Sequence, residues 1–130
     1  MADRPGAVTI EVPAQAEYVA VLRAAAAVIA SRLDFTLDDI DDLRILIDEA
    51  ASVLLTSGAE GALHCVIEAA GETIRFQIRA DVPSGGTLPE EGFAWSILRA
   101  LAHEVTSETD AEGQVIAVTR RRGPVLDSVL

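Results

Sequence analysis

The strongest constraint on this chain is the stretch from Thr36 to Gly58. Thr36 with Asp39 makes a capping-box pattern, Asp standing in for the usual Glu or Gln. Asp38, Asp39, Asp41 and Asp42 crowd the first turns, where the helix dipole favours anions. Ile40, Leu43, Ile47, Ala50 and Leu54 recur at the spacing of one buried face, and Gly58 is a natural stop. The pattern predicts a helix to about Leu55 whose apolar stripe must lie against a second layer.

The flanking segments supply that layer. Ala7–Val12 alternates, with Val8, Ile10 and Val12 on one side, and Pro13 ends the strand. Leu63, Cys65, Ile67 and Ala69 alternate up to a Gly71-Glu72 turn, after which Ile74, Phe76 and Ile78 alternate with Arg75, Gln77 and Arg79. This is a hairpin with one buried face. Glu104–Thr109 and Gln114–Thr119 form a second hairpin around Asp110–Gly113. Helical spacing recurs in Ala14–Leu33, through Tyr18, Leu22, Ala25, Ile29 and Leu33, and in Phe93–His103, through Phe93, Ile97, Leu98 and Leu101. Asp81–Glu91, with two prolines and two glycines, reads as a loop. The order β-α-α-β-β-loop-α-β-β predicts an α+β two-layer sandwich, a mixed, mostly antiparallel sheet with helices on one face. Residues 7–122 form the expected domain, between a lead-in at 1–6 and a tail at 123–130.

Charge and cysteine content narrow the function classes. The 130-residue chain has 10 Lys+Arg, all arginine, against 21 Asp+Glu, a net charge of −11. An acidic chain is repelled by phosphate backbones, so direct nucleic-acid binding is not expected. Without lysine, a Walker-type phosphate loop is excluded. Cys65 is the single cysteine, so no intramolecular disulfide forms, and its apolar neighbours predict a buried thiol. His64 and His103 lack partners at ligand spacing, so no metal site is expected. No apolar run approaches the ~20 residues of a membrane span, and no secretory leader opens the sequence. The expected location is the cytoplasm.

Four local sequences, in order, carry a family resemblance across about Ala7 to Arg121. They are Arg23 after Tyr18–Leu22; Leu43–Ala50, containing Asp48-Glu49-Ala50; Asp81-Val82-Pro83-Ser84-Gly85; and Gly92–Ala102. Together they resemble the anti-sigma factor/serine-protein kinase family of the sigma-B type, within the histidine-kinase-like ATPase superfamily. Phe93–Leu98 is most similar to a divergent actinobacterial branch. The resemblance implies the histidine-kinase-like ATPase fold, Glu49 as the catalytic carboxylate, and Asp81, Gly85 and Gly92 as nucleotide-binding positions. It implies protein contacts through Arg23, to which the acidic residues Asp38 and Asp41 are added on charge grounds. The implied partners are an alternative sigma factor and an anti-anti-sigma factor, with a homodimer left open.

The departures from the pattern are specific. Where the resemblance implies an Mg²⁺-ligating Asn four residues after the helix Glu, this chain has Val53. Pro83 and Ala94 replace two glycines that would let backbone approach a nucleotide. Mg²⁺ requires hard oxygen donors, so ATP and Mg²⁺ are expected only if the altered site still binds them. At about 100° per residue Glu49 and Val53 share a side of the helix away from the Ile40/Ile47/Leu54 stripe.

Each residue also has a plainer role. Asp81 suits the start of a Pro/Gly loop, Glu49 a relic on a solvated face, and Arg23 a snorkelling surface position. The acidic run suits a capped, solvated helix, and Trp95 the core. Three functions therefore stand side by side: an anti-sigma factor controlled by an anti-anti-sigma partner, an active serine kinase, and a scaffold or dimerisation module. For the loop, the expectation is weak order, or collapse into the vacated pocket with Leu88 or Trp95 filling it.

Overall fold

The computed structural model describes residues 6–83 and 88–123. Strand β1 (Ala7–Pro13) leads through a short 3-10 turn (Ala16–Tyr18) into α1 (Val19–Arg32), then α2 (Leu37–Thr56). The hairpin β2 (Glu60–Ala70) and β3 (Thr73–Asp81) follows, then α3 (Phe93–Leu101) and the hairpin β4 (Glu104–Asp110) and β5 (Gly113–Arg121). The strands form one sheet in the order β1-β2-β3-β5-β4. All four pairings are antiparallel, so the sheet is antiparallel throughout rather than mixed.

Strand alternation decides which side of the sheet is covered. Leu63, Cys65 and Ile67 on β2, Ile74, Phe76, Ile78 and Ala80 on β3, and Ile116 and Val118 on β5 join one core with Leu22, Leu43, Ile47 and Leu54 of the helices. The intervening His64, Arg75, Gln77 and Arg79 face the other way. Helix α2 packs against both α1 and α3. Its predicted stripe is buried throughout, and Leu46, Ala51 and Val53 are buried with it. A helix flanked on two sides as well as beneath keeps only a narrow strip in water. That is why Val53, expected on the far side of α2, is only 4% exposed.

Three expectations on packing need correction. The buried stripe of α1 is Val19, Leu22, Ala26 and Ala30; Tyr18 is exposed, and Ala25, Ile29 and Leu33 are half-buried. The chain turns once as a 3-10 helix before α1, and this resets the phase. Phe93, grouped by helical spacing with Ile97, Leu98 and Leu101, is 79% exposed, because α3 begins at that residue and buries Trp95 and Leu98 instead. Val8 is 40% exposed and Ile10 half-buried, as suits an edge strand that the helices cover only in part.

The Thr36 capping box is present: the Asp39 N–H donates to Thr36 Oγ1 at 3.1 Å, and the Thr36 N–H donates to Asp39 Oδ2 at 3.4 Å. Asp34, at φ 62, turns the chain between α1 and α2. Cys65 is buried as expected, and burial pushes its thiol pKa up to about 12, leaving it inert.

Candidate functional site

Helix α2 carries three of the candidate residues, Asp38, Asp41 and Glu49. Glu49 is half-buried and has no hydrogen-bond or ion-pair partner among the described residues. Burial, reinforced by the neighbouring Asp48 charge, raises its carboxyl above the ordinary range. Asp48 itself is engaged: Arg23 of α1 donates to its Oδ1 at 2.5 Å. The cation expected to meet a partner is therefore held by an acid of its own chain, the residue preceding the candidate catalytic carboxylate. Asp38 and Asp41 are exposed on the first turns of α2, and Asp41 pairs with Arg44 at 3.2 Å.

Beyond α2 the nucleotide candidates separate. Gly92 is the N-cap of α3 at φ 107, a conformation that favours glycine, with open space where a Cβ would stand. Asp81 ends β3 on the sheet face opposite the helices, where it lines a groove of ≈ 690 Å³ with His64, Gln77 and Arg79. Glu49 and Gly92 line neither this groove nor the smaller cavity at the β4–β5 turn, which Asp81 also borders. Gly85 lies outside the described residues. Leu88 and Trp95 are both buried in the core that contains Val53, and the Trp95 indole N–H has no acceptor among the described residues. Among the described residues, no group of three or more His, Cys, Asp or Glu is arranged to hold a metal ion.

A buried ion pair escaped the sequence reading. Arg120, 2% exposed, donates to Asp39 Oδ1 at 3.0 Å, lies 3.1 Å from Asp42 Oδ2, and donates to the Leu101 carbonyl at 2.6 Å. Burial alone would raise the Asp39 carboxyl. Hydrogen bonds from Arg120, Gly123 and Thr36 outweigh it and hold the pKa below the usual carboxylate value. The signal was present: Arg120 continues the Ile116, Val118 alternation onto the covered face. Asp39 and Asp42 are thus partly structural and do not belong wholly to a solvated acidic face.

No protein-family model matches the chain. The serine-protein kinase RsbW of Bacillus cereus (strain B4264) is 37% identical over 82 residues, covering 62% of this chain and 47% of that protein. RsbW of Bacillus anthracis (strain CDC 684 / NRRL 3495) is 42% identical over 52 residues, 40% of this chain and 32% of that protein. The chain thus matches half or less of the length of these relatives. A crystal structure of the RsbU and RsbW domains of Rv1364c from Mycobacterium tuberculosis superposes with a TM-score of 0.69 at 18% identity, over 91% of this chain and 33% of that one. The sheet order and three-helix layer have the ATPase-like α+β fold of that structure. Within that fold, the chain is most usefully compared with the serine-protein kinases RsbW, to which it is similar over 62% of its length. No helix among the described residues is long and apolar enough to cross a membrane.

Proposed function

We propose that this chain is a cytoplasmic anti-sigma factor that sequesters an alternative sigma factor and is relieved by an anti-anti-sigma partner, with nucleotide binding weakened or lost. The observation that carries the loss is Val53, an aliphatic side chain buried in the core one turn beyond Glu49. Valine offers no oxygen to Mg²⁺, and the burial of Leu88 and Trp95 in the same core supports a pocket filled by protein. The residues present therefore do not fit a Mg²⁺-nucleotide, and no phosphoryl-transfer step is derived for them. Pro83 and Ala94, in place of two close-approach glycines, support the same reading.

Regulation would then be competition by mass action, with the relative concentrations of the two partners setting free sigma factor. An acidic protein suits a partner that must carry basic surface to act on DNA. Asp38, Asp41 and Arg23 are the proposed contacts. The competing reading, an active serine kinase with Glu49 as base and Asp81, Gly85 and Gly92 at the nucleotide, draws on the names of the relatives.

Mg-ATP calorimetry on the purified chain separates the two. Each of the three replacements weakens binding by about 1–3 kcal/mol, the scale of an unpaired polar group. Together they lower affinity by several powers of ten. A micromolar dissociation constant would reinstate the kinase. Capture of a sigma factor by the chain at low salt, reversed by an anti-anti-sigma protein, tests the binding function itself.

A further inference from the structure

The open face of the sheet holds a second feature that the anti-sigma reading does not use. Strands β2 and β3 are in register from Ala70 to His64, where His64 stands opposite Arg79, and again at Glu60, which stands directly opposite Asp81. Four steps along β2 thus match two along β3. The extra residues form a bulge at Gly61, whose φ of 79 suits glycine, and bulges bend a strand and re-aim its side chains. The ≈ 690 Å³ groove lies over this bulge, crossing from Thr9 of β1 to Glu112 of the β4–β5 turn, with Val66 and Ala62 in its floor.

The charges in the groove are unevenly satisfied. Arg79 is held by Asp110 at 2.6 Å and lies 3.9 Å from Glu112, while His64 lies 3.2 Å from Glu11. Glu60 and Asp81 are exposed and have no hydrogen-bond or ion-pair partner among the described residues. Like charges directly opposite on neighbouring strands repel, so this pair costs the fold something and gains nothing from within it. A cation between the two carboxylates would reverse the sign of that term. The groove is partly open to solvent and spans three strands and a turn, a reach along which an extended chain could lie.

We propose that this groove is a docking site for a basic, extended protein segment, with an arginine or lysine side chain received between Glu60 and Asp81. The surface lies on the opposite side of the sheet from α1 and α2. Its occupancy is therefore independent of the sigma-binding reading, and the two can fail separately.

The test uses the full chain and a fluorescent nonapeptide alternating arginine with valine, followed by anisotropy and by amide chemical-shift mapping. The expected result is saturable binding at low salt, with shifts on β1–β3 and the β4–β5 turn. Glu60→Gln/Asp81→Asn should weaken it about tenfold or more. The same double variant, without peptide, should melt about 1–3 °C higher, because a repulsion is removed. Loss of binding joined to a gain in stability cannot come from damage to the fold. Asp38→Asn/Asp41→Asn should leave peptide affinity unchanged. Equal binding by wild type and the groove variant, shifts confined to the helix layer, or spermine binding as tightly as the peptide would overturn the proposal.

Discussion

The two halves of α2 hold carboxylates that the protein treats in opposite ways. Asp39, in the first turn, is the more deeply buried, yet its acidity is strengthened because Arg120, Gly123 and Thr36 surround it with donors. Glu49, in the second half of the helix, is only half-buried, yet its acidity is weakened because its burial is offset by no donor among the described residues and it sits beside Asp48. Burial has the same sign at both; the donors decide the outcome. The first turn of the helix is thus fixed into the fold, while its second half carries a carboxylate with no partner among the described residues. That contrast divides structural acids from candidate functional ones better than exposure does.

The largest effect expected from breaking the contrast is at Arg120. Arg120→Leu would leave Asp39 buried beside an aliphatic chain and should cost about 3–5 kcal/mol in urea denaturation. Asp39→Asn/Arg120→Leu should recover much of it, since no buried charge then remains. The pH dependence follows from the sign at Asp39. Its folded pKa lies below the ordinary value of 3.8, so the stability it supplies is present above that value and is lost as pH falls through the folded pKa. The stability gap between wild type and Asp39→Asn should therefore close on acidification below the ordinary carboxylate range. A gap independent of pH would remove Asp39 from the clasp.

Next comes Val53→Asn, which places an amide in the core one turn from Glu49. We expect a loss of about 1–3 kcal/mol, the scale for a buried polar group without partners. We also expect no gain in Mg-ATP affinity by calorimetry. Stability kept together with micromolar nucleotide binding would mean that Glu49 and position 53 still border a working site.

How far these sites were legible in the sequence follows from the same physics. The Thr36–Asp39 capping box and the alternation of β2 and β3 were readable because short-range hydrogen bonding and strand parity are local. The phase of α1 was not, since a run of alanines carries little periodic signal and the preceding 3-10 turn shifts the register. The exposure of Phe93 was not legible in the spacing it shares with Leu98, because a helix boundary, rather than a period, decides it. The Glu60–Asp81 opposition depends on a bulge between strands, a register fact that neither segment contains alone. Arg120 was legible in principle, by parity with Val118, but its partner Asp39 lies 81 residues away, and it is the partner that makes burial tolerable.

A smaller effect is expected at Glu49. Its folded pKa is raised above the ordinary 4.5, so the ionised group costs stability at neutral pH, and that cost disappears as pH falls below its unfolded value. Glu49→Gln should thus be slightly more stable than wild type at pH 7, with the difference vanishing in acid. A destabilised Gln variant would show that the carboxylate has a partner after all.

The smallest effect on the fold should be at Arg23–Asp48. Both side chains are over a third exposed, at 36% and 42%, so solvent screens the pair despite its short contact. A double-mutant cycle should give a coupling of about 0.2–1 kcal/mol that falls with added salt. That weakness makes the pair informative about binding, since Arg23 can leave Asp48 at little cost. If Arg23 meets an acid on a sigma or anti-anti-sigma partner, Arg23→Ala should lower affinity by about 2 kcal/mol, the scale of an arginine hot spot. Asp48→Asn should act in the opposite direction, by releasing the guanidinium from its internal competitor. Both variants weakening the complex would mean that the pair docks as a unit. Neither changing it, in a partner that the wild-type chain captures, would place the interface away from the junction of α1 and α2.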